Sequence, residues 1–100
     1  MTHTDGNLLR EQFIGDAVAV SMAISEVKRH MEDAQSRYGN FASTHEALGV
    51  ALEEWNELND AIRANAIEAI REEAIDLAAV LIRLAAQCRS SETMKERSIK

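Results

Sequence analysis

Residues 53–76 read EEWNELNDAIRANAIEAIREEAID, and two acidic patterns in this stretch decide how the chain folds. Glu53, Glu54 and Glu57 are echoed nineteen residues later by Glu72, Glu73 and Asp76, so each copy reads acid, acid, two spacers, acid. Residues three apart share one face of a helix, and every helical residue advances the axis by about 1.5 Å. A helical hairpin centred on Asn65 therefore sets Glu57 opposite Glu73 and Glu54 opposite Asp76. Four carboxylates then converge on one small volume. Like charges held close raise one another's pKa and strain the fold unless protons, arginines or a cation answer them. An all-oxygen ligand set suits a hard divalent ion, Mg²⁺ or Mn²⁺, rather than zinc. The plain alternative is a solvated acidic stripe on two surface helices.

The apolar run downstream of the second acidic copy favours the cage. From Ala74 to Ala86 only Asp76 and Arg83 interrupt it, and they lie two turns apart on one face. A helix apolar on nearly every side must be buried on nearly every side. Asp76 is thus read as a metal ligand, with a buried ion pair to Arg83 or another basic residue as its competitor.

Working outward, Ser43 followed by Glu46 is a capping box that opens the hairpin's first helix. Along that helix Leu48, Ala51, Leu52, Trp55, Leu58 and Ile62 form one stripe. Glu46, Glu53 and Glu57 fall on the other side, with Glu54 at the boundary. Asn65, tolerant of the left-handed conformation, supplies the turn, and the last helix is expected from about Ala66 to Gln87 or slightly beyond. Upstream, Asn7 is a plausible cap for a helix carrying Leu9, Phe13, Ala17, Val20, Ile24, Val27 and Met31 at spacings of three and four. Gly15 and Asp16 interrupt it, and Gly39 terminates it after Arg37. The expectation is one all-α domain over residues 1–100, with 1–7 and 89–100 flexible. The last helix carries apolar residues on two sides, more than two neighbours can cover. A homodimer of hairpins forming a four-helix-bundle-like core, able to pair further into a dimer of dimers, is the expected cover.

Composition narrows the functions. With no proline and a 46% hydrophobic fraction the chain suits a helical protein. Its net charge of −6 argues against nucleic acid or an anionic membrane as partner. The single cysteine, Cys88, fits a reducing compartment and a packing role. No segment approaches the ~18 apolar residues of a membrane span, and the polar start lacks signal-peptide character, so a soluble, cytoplasmic protein is expected.

Glu53-Glu54-Trp55-Asn56-Glu57 followed by Glu72-Glu73-Ala74-Ile75-Asp76-Leu77 resembles the paired EExxE and ExxD signatures of the MazG-like, all-α nucleoside triphosphate pyrophosphohydrolases. That superfamily also holds dimeric dUTPases and dCTPases. The resemblance covers residues 43–88, and the stretch Tyr38 to Glu46 looks like a variant in small phage and bacterial members. It implies a Mg²⁺-dependent hydrolase that cuts a nucleoside triphosphate between its α and β phosphates, with Glu54, Glu57, Glu73 and Asp76 matching the metal ligands. Glu53 becomes a candidate for orienting or deprotonating the attacking water, or else an exposed charge without a role. Arg83 is a candidate contact for the outer phosphates, or else a structural partner for a carboxylate. Tyr38 and Phe41 are candidates for stacking on the base, against the commoner role of such aromatics as core plugs, which is the reading for Trp55. His30 and His45 are weaker candidates for phosphate, against a surface or capping role. One departure stands out: members often carry asparagine one turn after the ExxD aspartate, where this chain has Val80. A ferritin-like diiron site needs Glu-x-x-His pairs, and none is present. A non-catalytic helical dimerisation or adaptor module is the alternative function.

Overall fold

A computed structural model describes residues 16–99, with side chains through Ser91. These residues form three helices and no strand: α1 (Ala17–Tyr38), α2 (Thr44–Arg63) and α3 (Ile67–Ile99). The expected cap at Asn7 and the positions Leu9 and Phe13 lie outside the described residues. Within them α1 starts after Asp16, whose side chain makes no capping hydrogen bond. None of the three helices is long and apolar enough to cross a membrane.

The helix ends obey local chemistry. Gly39 closes α1 at φ 69°, ψ −159°, a backbone region essentially reserved for glycine, and its N–H donates to Gln35 O at 2.9 Å. Ser43 caps α2: its Oγ accepts from Glu46 N at 3.1 Å. Glu46 reaches back to accept from Ala42 N at 3.1 Å, one residue before the cap rather than at the cap itself. Asn65 adopts φ 53°. Asn65 N donates to Ile62 O and Ala66 N to Ala61 O, the paired bonds of a Schellman motif, with asparagine in the left-handed position usually held by glycine. Ala66 O then accepts from Ile70 N and starts α3. This helix passes its expected end near Gln87 and continues to Ile99, because residues 88–99 contain neither glycine nor proline to stop it.

Both α1 and α2 pack on α3. The buried side chains are Phe41, Ala47, Ala61, Ile75, Ala79 and Val80, and Val50, Ala51 and Leu84 pack around the cluster of Phe41, Ala47 and Val80. The expected α2 stripe is therefore rotated. Small residues face α3 and let the two backbones approach, while Leu48, Leu52, Trp55 and Ile62 stay about half exposed. Trp55, read as a core plug, is 52% exposed within the single chain. Leu81 and Ile82 on α3 are similarly open, and Cys88 is exposed rather than packed. On α1, Val20, Val27 and Met31 are half-buried as their spacing requires, whereas Ala17 and Ile24 are exposed.

Candidate metal centre

The turn at Asn65 folds α3 back along α2 and brings Glu54 and Glu57 to Glu73. Each of these three residues offers a carboxylate oxygen lying within 4.8 Å of the others. Glu54 and Glu73 are half-buried and Glu57 is exposed. Ionised carboxylates accept hydrogen bonds but have none to give, and Glu54 Oε2 and Glu73 Oε2 are buried without a hydrogen-bond partner. Burial pushes the Glu54 pKa up to about 7, and the charges of Glu57, Asp76 and Glu73 add to the rise. Burial likewise raises Glu73, followed by its closeness to Glu57 and the charge of Asp76. Either a proton or a cation relieves such a cluster. Two orphaned buried oxygens in an all-carboxylate donor set fit a hard divalent ion.

Asp76 stands slightly apart from this group. It is half-buried, as the apolar run around it requires, and contributes to the field on Glu54 and Glu73. Its Oδ1 lies 2.8 Å from His30 Nδ1 on α1. The basic residue beside Asp76 is therefore His30 and not Arg83. Nothing in the local sequence around His30 signals this pairing, since the two residues are 46 apart and meet only because α1 lies along α3.

Glu54 and Asp76 open onto a cavity of about 720 Å³ between the helices, and Glu53 stands on the same wall. The rest of the lining mixes charge and aromatic surface: His30 beside Asp76, Arg37 paired with Asp33 at 3.2 Å, Glu46, Tyr38 and Arg83. Glu53 is exposed, and Tyr38 at the rim is 76% exposed. His45 is exposed on the first turn of α2, away from this lining.

Arg83 has structural work at the far end of the cavity. Its Nη2 donates to Gly39 O at 2.9 Å, its Nε to Gln35 Oε1 at 3.3 Å. Its guanidinium lies 4.5 Å from the centre of the Phe41 ring. Phe41 borders the cavity but is buried in the core with one ring face covered by that guanidinium, so it acts as a plug. Gln87 completes the clamp: its Oε1 accepts from Phe41 N at 2.9 Å and its Nε2 donates to Phe41 O at 2.8 Å. Spacing does not single out Gln87, because a lone glutamine on a helix face gives no sign that it reads a distant backbone. Val80, at the position where MazG-like chains often carry asparagine, is buried against Phe41 and Ala47. Set beside protein-family models, curated proteins and solved structures, the chain matches none of them.

Proposed function

We propose that this protein is a Mg²⁺- or Mn²⁺-dependent nucleoside triphosphate pyrophosphohydrolase, releasing a nucleoside monophosphate and pyrophosphate. The observation that carries the reading is the convergence of Glu54, Glu57 and Glu73, with two buried oxygens lacking partners, beside an open cavity of about 720 Å³. Glu54, Glu57 and Glu73 would hold the ion, and Asp76 would add a fourth carboxylate. A divalent ion bound there supplies charge neutralisation for an incoming polyphosphate and lowers the pKa of a water. Glu53, exposed on the cavity wall, orients that water and accepts its proton. Arg37, whose Nε pairs with Asp33 at 3.2 Å, and Arg83 would offer their remaining guanidinium nitrogens to the outer phosphates. Tyr38, exposed at the rim, would stack on a base. The half-exposed residues Leu48, Leu52, Trp55 and Ile62 support a homodimer that covers the hairpin's outer face.

That same outer face favours the second reading, a helical dimerisation module whose acids bind nothing. Two experiments separate them. Divalent ions stabilise a true cage by mass action and leave the module unchanged. Incubation with Mg²⁺ and a panel of canonical and modified nucleoside triphosphates, followed by ³¹P NMR, should yield pyrophosphate from at least one of them, with deoxynucleotides the better substrates. Orthophosphate as the sole product, or no product across the panel, rejects the assignment.

A further inference from the structure

We propose that His30 is a positioning residue for the metal centre, holding the Asp76 carboxylate in place through its Nδ1 N–H; this rests on the reading of the acidic cluster as a cation site. The contact itself is short, 2.8 Å between His30 Nδ1 and Asp76 Oδ1. An ionised carboxylate has no proton to offer, so the donor is Nδ1. Asp76 needs such a partner. Asp76 and the carboxyls of Glu54 and Glu73 act on one another as like charges, and Asp76 is 35% exposed, so a free side chain would swing toward water and away from the cluster. The imidazole opposes that swing and engages only one oxygen, leaving Oδ2 for the ion. Carboxylates that bind metals commonly have such an outer hydrogen bond, which orients them before the ion arrives. The partner here comes from α1, an element outside the acidic hairpin. Removing it therefore tests whether α1 belongs to the site or merely packs near it.

The test uses the full chain and Mn²⁺ alone as probe, with free Mn²⁺ read by its paramagnetic resonance signal. Wild type, His30→Ala, His30→Asn and Asp76→Asn are compared. An asparagine amide places a donor near the position of the imidazole Nδ1, so His30→Asn should bind close to wild type. His30→Ala should weaken Mn²⁺ binding about 10- to 100-fold without changing the metal-free melting temperature or the helical circular dichroism. Unchanged or tighter binding by His30→Ala, alongside weakened binding by Asp76→Asn, overturns the role of His30 and leaves the metal site standing. Equal weakening in both His30 variants also overturns it, because the effect would then belong to the ring's bulk and not to its N–H. Absence of Mn²⁺ binding by the wild type sinks both the site and the inference.

Discussion

The two polar residues inside the apolar run of α3, Asp76 and Arg83, anchor two regions with opposite accounts of their polar groups. Around Arg83 the connector is saturated: Gly39 O, both backbone groups of Phe41 and the Gln35 and Asn40 side chains all have partners. Around Asp76, two turns earlier, two glutamate oxygens are buried with none. One helix thus completes one network and leaves the other open. Buried polar groups are almost always satisfied in folded proteins, so an unsatisfied acidic cluster beside a satisfied connector is the place to look for a proton or a cation. The connector is architecture, and on the proposed reading the acid corner is a receptor for a cation.

Four substitutions or conditions probe that contrast. The largest effect belongs to Glu54→Gln, which should lower pyrophosphate release at least about 100-fold by removing a ligand and yet raise the metal-free melting temperature at pH 8. One variant moves the two readouts in opposite directions: if stability falls with activity, the corner is ordinary structure. Next comes Gln87→Ala, which leaves the Phe41 N–H and C=O unpaired and should cost about 1–3 kcal/mol in urea unfolding while Mn²⁺ affinity holds. A loss of metal affinity as large as the loss of stability would mean that the two regions are one unit. Gly39→Ala should cost about 1–3 kcal/mol from backbone strain alone, since nothing within 4 Å would meet the added methyl group. A neutral result would place Gly39 in a conformation that alanine tolerates.

The fourth is the pH dependence. Glu54 has its folded pKa raised above the ordinary 4.5 to about 7, and Glu73 is shifted the same way. A raised folded pKa means that protons favour the native state: the contribution is full below the unfolded value and lost as pH climbs through the folded one. Metal-free protein should therefore lose stability between about pH 5 and pH 8, by less than a degree-for-degree reading of the shift because the site is partly solvated. Saturating Mn²⁺ should flatten that slope. A melting temperature that rises across the window without metal contradicts the crowding.

Much of this contrast was legible in the residues themselves. Ser43 with Glu46, Gly39 and Asn65 announce their helix ends because capping is decided within a few residues. The meeting of Glu57 with Glu73 comes from symmetric distance about the turn. Other features depend on choices that local pattern does not encode. Hydropathy favours burying Leu48, Leu52 and Trp55, but close approach of α2 to α3 selects Ala47, Ala51 and Ala61 instead, and the larger side chains turn outward. His30 and Gln87 act across long stretches of chain, so their partners appear only once α1 and the connector are laid on α3. Phe41 looks the same to sequence reasoning whether it meets a base or a core; its burial favours the core, although it also borders the cavity.

The outward placement of Trp55 gives the protein a built-in optical gauge. It is the chain's single tryptophan, half-wetted, one residue from Glu54 and two from Glu57. If the proposed homodimer covers this face, its emission should move to shorter wavelength as rising protein concentration shields the indole, and if the proposed site is filled, its intensity should fall with Mn²⁺, a paramagnetic quencher. The proposed assembly and loading can thus be tested on the unlabelled protein, in one cuvette, by two independent changes in the same spectrum.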